Sequence, residues 1–143
     1  MRRRLHGLNQ AARSSEFADG IYLVRVQRAQ YRWDRKKPFY AFQFTVAEPK
    51  HLAGRSISTR IYCTTKALWK LGWFLRDFGY DPELIERDEL DEASLIGLTG
   101  VIQISHSIEN GASLIKLDSF APASRWPDLS SSSVLGRSEV AGR

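Results

Sequence analysis

From Tyr40 to Val46 the chain alternates large apolar side chains with small or polar ones: Tyr40, Phe42, Phe44 and Val46 against Ala41, Gln43 and Thr45. A two-residue period puts successive side chains on opposite faces of an extended strand, whereas helical geometry would scatter these four around the axis. The segment therefore reads as a strand over Phe39–Val46, with Phe39 on the Gln43 side. Its ringed face demands a core, and a core demands partner elements.

The partners are legible on both sides. Ile21 to Val26 is dense in β-branched and aromatic residues, and the pattern extends to about Trp33. Tyr22, Val24 and Val26 fall on one face, with Arg25 and Gln27 on the other. Tyr31 to Pro38 reads as the loop joining these first two strands. Beyond Glu48-Pro49-Lys50 and Gly54, Arg55 to Cys63 forms a third strand, with Ile57, Thr59 and Ile61 facing a core. Ser56, Ser58, Arg60 and Tyr62 face the other way. A helix follows, capped by Thr64 or Thr65, with Leu68, Leu71, Leu75 and Phe78 as its buried stripe and Gly79 as its left-handed stop. Trp69 and Trp73, four apart on one flank, read as helix packing in preference to a base-stacking platform. Asp81 to Glu92 is acidic and predicts a short second helix ending near Leu95. Gly97 and Gly100 introduce a fourth strand at Val101–Ile104. Glu109-Asn110-Gly111 is a tight-turn signal, and Ser113 to Phe120 is a fifth strand closed by Pro122.

Composition bounds what surrounds this body. With 143 residues, 43% of them hydrophobic, the chain predicts one domain, 19–126, between a basic flexible arm, 1–18, and a disordered tail, 127–143. No apolar run approaches the roughly 20 residues needed to span a bilayer, and no signal-peptide segment follows the basic start. Cys63 stands alone, which excludes an internal disulfide and fits a cytoplasmic location. The net charge of +5 favours polyanionic partners. Its distribution is polarised: residues 1–37 hold ten Lys/Arg and three Asp/Glu, whereas residues 77–96 hold eight Asp/Glu and one Arg. The acidic segment is a solvated face or a docking patch for a basic protein partner, including the arm of another copy in a homo-oligomer.

Three strands, a helix, then two strands is the element order of an all-β OB-fold, a five-stranded Greek-key barrel with its main helix between strands three and four. An open α+β sheet with other pairings is the competing arrangement. In an OB-fold, ligands cross strands two and three between the loops joining strands one–two and four–five. Here those loops are Tyr31–Pro38 and Ser107–Ala112. Arg32, Arg35, Lys36 and Lys37 would meet phosphates, and Trp33, Phe39 and Tyr62 are the candidate stacking rings. Gln43, Ser58 and Arg60 complete the face, and Arg25 extends it. The bland reading of the Tyr31–Tyr40 stretch is a solvated hairpin whose aromatics belong to the flanking strands. For Phe39 and Tyr62 it is burial in the barrel. The arm, with Arg2, Arg3, Arg4 and Arg13, would wrap a strand or remain a soluble tail.

The body also resembles the small, divergent single-stranded-DNA-binding OB proteins of phages and mobile elements. The resemblance covers roughly residues 19–126. It is carried by Gly20-Ile21-Tyr22, the basic hairpin into Pro38-Phe39-Tyr40, Gly54 before strand three, Lys66-Ala67-Leu68-Trp69-Lys70-Leu71, Leu98-Thr99-Gly100 and Phe120-Ala121-Pro122-Ala123. It implies a strand-protecting role in DNA replication or recombination. Housekeeping bacterial single-strand binders end in an acidic recruiting tail, from which Gly136-Arg137-Ser138-Glu139-Val140-Ala141-Gly142-Arg143 departs.

Catalytic signatures are missing from the sequence. His6, His51 and His106 lie far apart, and there is neither a metal-binding spacing, nor a phosphate loop, nor a nucleophile elbow. The expectation is a non-catalytic, cofactor-free single-stranded DNA binder. The alternatives are a protein-interaction OB module in a nucleoprotein complex and an RNA-binding OB protein.

Overall fold

Four antiparallel strand pairings organise the chain. A computed structural model describes residues 1–5, 8, 17–109 and 111–131, so Arg13, Asn110 and the tail beyond Ser131 lie outside the described residues. β1 (Gly20–Asp34), β2 (Lys37–Glu48), β3 (Ser56–Tyr62), β4 (Thr99–Glu109) and β5 (Ala112–Pro122) form one sheet in the order β3-β2-β1-β4-β5. Every neighbouring pair is antiparallel. One longer helix, α1 (Leu68–Asp77), and a single-turn helix, α2 (Pro82–Glu86), lie between β3 and β4. The protein is thus mostly a five-stranded antiparallel sheet with a small helical insertion. No described helix is long and apolar enough to cross a membrane.

β1 lies between two partners: Gly20–Arg25 pair with Ile104–Thr99 of β4, and Leu23–Asp34 pair with Glu48–Lys37 of β2, so Leu23–Arg25 are paired on both sides. A bulge interrupts the pairing with β2 just beyond. Val26 stands opposite Phe44 and Arg28 opposite Gln43, leaving Gln27 as the extra residue. Its side-chain carbonyl accepts from Thr45 Oγ1 at 2.8 Å. The bulge shifts the alternation by one. Arg28, Gln30 and Arg32 stand opposite Gln43, Ala41 and Phe39, while Ala29 and Tyr31 stand opposite the core residues Phe42 and Tyr40.

Both predicted loops are strand for most of their length. β1 and β2 stay paired to Asp34–Lys37, which leaves a two-residue turn, and Arg35 there has a φ of 60°. β4 and β5 stay paired to Glu109–Ala112, with Gly111 at φ 79°. The two outer strands of the sheet meet through a side chain: Thr59 Oγ1 of β3 donates to the Ile115 carbonyl of β5 at 2.8 Å.

α1 starts later than predicted. Neither threonine side chain caps it; Thr64 instead offers its backbone carbonyl to Ala67 N and Leu68 N. Leu68, at the first helical position, is exposed, and Phe74 takes its place in the buried stripe with Leu71, Leu75 and Phe78. The helix ends as its sequence requires. Gly79 at φ 83° lets Gly79 N and Tyr80 N donate back to Arg76 O and Leu75 O.

The core is aromatic where helix meets sheet. Phe74 lies 4.9 Å from Phe42 and 4.4 Å from Phe78, ring centre to ring centre, and 5.5 Å from Phe120. Such contacts add about 0.5–1.5 kcal/mol each beyond the area they bury. Phe17, inside the predicted arm, is 2% exposed and packs edge-on against Tyr22, whose hydroxyl donates to Ala18 O. At the other end residues 126–131 are helical, with Pro127 in the first turn where its missing N–H is harmless.

The acidic segment divides where one helix was predicted. Asp81 caps α2 by accepting from Glu83 N, and Asp91 caps a 3-10 turn at Glu92–Leu95 by accepting from Ala93 N. Asp88 adopts a left-handed φ of 58° between them. Part of the acidic density is therefore local capping chemistry.

Candidate nucleic-acid interface

The strand register brings most of the predicted ligand face together. Phe39 stands opposite Tyr62, Ala41 opposite Arg60, and Gln43 opposite Ser58. These residues floor a groove of about 1090 Å³, bordered on one side by the end of the β1–β2 ribbon and on the other by α1 and β5. Its cations are Arg28, Arg32, Arg60, Lys66, Lys70 and Lys116, set against the carboxylates of Asp34 and Glu109.

Each predicted residue can now be located. Arg32, Trp33, Phe39, Gln43, Ser58, Arg60 and Tyr62 line the groove. Arg35, Lys36 and Lys37 are exposed at the ribbon tip, outside its lining, and so is Arg25, on the far side of the bulge. Trp33 is 61% exposed and packs edge-on against Tyr31 at 6.2 Å. Tyr31 in turn rests on the buried Tyr40. Burial, followed by the nearby Glu92, raises the Tyr40 phenol pKa above its ordinary value.

Phe39 differs from its expected role as an open stacking ring. It is 6% exposed, with the Arg60 guanidinium 4.3 Å above its ring centre and Tyr62 tilted against it at 5.8 Å. Arg60 also lies 3.6 Å from Asp34. Phe39 is thus a support on which Arg60 and Tyr62 sit. A cation over its face leaves no room for a base on that side.

Several lining residues escaped the sequence reading. Arg28 and Gln30 enter through the bulge, which strict alternation cannot foresee. Lys66, Trp69 and Lys70 line the groove at the start of α1, and with Trp73 behind them they follow the spacing i, i+3, i+4, i+7, a mixture of cations and rings that was a readable signal. Trp69, assigned to packing from sequence, is 64% exposed, while its neighbour Trp73 is half-buried. Among the described residues, no three His, Cys, Asp or Glu side chains are grouped to hold a metal ion.

No known protein-family model matches the chain, and a comparison with curated proteins found no match.

Proposed function

We propose that this chain is an OB-fold protein that binds single-stranded DNA without chemical transformation of it, protecting or organising strands in replication or recombination. The strand order β3-β2-β1-β4-β5, the Thr59–Ile115 bond between its two outer strands, and the main helix between β3 and β4 support the barrel reading. The observation that carries the functional reading is the groove itself. Arginine and lysine side chains outnumber carboxylates along it, and exposed or half-buried rings, Trp33 and Tyr62, stand among them. Cations track a phosphate backbone and flat rings stack unpaired bases, and duplex DNA keeps its bases stacked on one another.

The reading is tested by titrating the protein with single-stranded DNA, duplex DNA and RNA of equal length at two salt concentrations. Preference for single-stranded DNA, weakening steeply with salt, is the expected result. Absence of binding at low salt overturns it, and preference for RNA reassigns the ligand.

A further inference from the structure

A second ring-and-cation cluster lies across the groove from Trp33. Trp69 of α1 lies nearly parallel to Trp73, with centroids 6.2 Å apart and planes at 21°. Trp73 is fixed from behind: its Nε1 donates to Asp77 Oδ2 at 2.8 Å, and its ring meets Phe120 edge-on at 5.4 Å. Trp69 is therefore held flat by an anchored ring yet remains 64% exposed. Exposing a large apolar ring forgoes the burial that ordinarily places tryptophan inside.

The charges beside it are equally unresolved. Lys70 Nζ donates to Leu117 O at 2.6 Å, which fixes the ammonium against β5 next to Lys116. Partial burial and the Lys116 charge lower the Lys70 pKa below the ordinary lysine value, and Asp118 opposes them only in part. Two neighbouring cations are relieved by an anion between them. Trp69, Lys70 and Lys116 all line the groove.

We infer that the exposed flank of α1 is a second nucleotide subsite, where Trp69 stacks a base and Lys70 and Lys116 take an adjoining phosphate. The inference rests on the single-strand reading and adds a path to it: the strand leaves the sheet and crosses the helix.

The test uses the full chain and a labelled thymidine homo-oligomer. Trp69→Ala is expected to weaken binding by roughly 5- to 150-fold, the range corresponding to loss of one stacked base, with Trp69→Phe recovering much of it. In a Trp126→Phe background, saturating oligomer should quench tryptophan emission, and adding Trp69→Ala should leave a smaller quench, with Trp33 and Trp73 as the remaining emitters. Lys116→Gln should lower the slope of log affinity against log salt by about 0.7. If the parent chain binds while Trp69→Ala and Lys116→Gln bind as it does, the subsite is overturned and the single-strand reading survives. If the parent chain does not bind, both fall.

Discussion

Gly100 stands against the ring of Phe78 so closely that a Cβ at Gly100 would lie 2.5 Å from both Cδ1 and Cε1. Phe78 is buried and touches Phe44, Phe74 and Phe120, so it has little freedom to withdraw. Gly100→Ala should cost about 1–3 kcal/mol of stability through overpacking, read as a lowered urea midpoint. Phe78→Leu introduced into Gly100→Ala should cost less than it does alone, so that in a double-mutant cycle the pair costs less than the sum of the two single substitutions. Equal cost in both backgrounds would locate the strain elsewhere.

Thr59 tests the junction of β3 and β5. Thr59→Val keeps the shape but removes the hydroxyl that donates to Ile115 O, leaving a half-buried carbonyl without that donor. A loss of about 1 kcal/mol is expected, with Thr59→Ser retaining most of the stability. Amides at the middle of β3 should exchange faster in Thr59→Val; unchanged exchange would show that the junction does not depend on this bond.

How far the sequence was readable follows from where each signal is local. Alternation in β2 and β3 is local, so Phe42, Phe44, Ile57 and Ile61 were assigned to the core and Gln43, Ser58 and Arg60 to the opposite face, as observed. Stacking of Trp69 on Trp73 was also readable at four-residue spacing, but its exposure depends on how α1 packs against β5, a tertiary fact. Leu68 drops out of the buried stripe because it opens the helix, and Phe74, three residues after Leu71 and four before Phe78, completes that stripe. Burial of Phe39 under Arg60 depends on a cross-strand contact, which strand alternation cannot supply.

Arg35 carries a φ of 60°, in the left-handed region that costs a residue with a Cβ about 1–2 kcal/mol. Arg35→Gly should therefore raise the thermal midpoint. Because Arg35 lies outside the groove lining, affinity for single-stranded DNA should change little.

Arg32 and the ribbon tip should separate in a salt titration. Arg32→Gln, in the groove, is expected to reduce the salt slope by about 0.7. Lys36→Gln/Lys37→Gln, at the tip, should reduce it by less than the two charges removed would give. A full two-charge effect at the tip would extend the bound path beyond the groove.

Cys63 is half-buried, and burial pushes its thiol pKa up. The thiolate is the reactive form, so a raised pKa lowers its population near neutrality. Alkylation should be slower than that of free cysteine, with its pH profile displaced upward. Unfolding in urea should restore the ordinary profile. A fast reaction in the folded protein would place the thiol in a more open setting.

The bulge at Gln27 makes the composition of the groove a matter of counting. Arg28, Gln30 and Arg32 reach it because one residue is left out of the ladder before them, whatever that residue is. A substitution at Gln27 leaves this frame untouched. Its deletion would leave Val26 opposite Phe44 and Arg28 opposite Gln43 in unbroken alternation, so the bulge would close and the cations would keep their face. The cationic side of the groove instead hangs on Gln27 staying out of the ladder, since regular pairing through it would turn each following side chain to the opposite face.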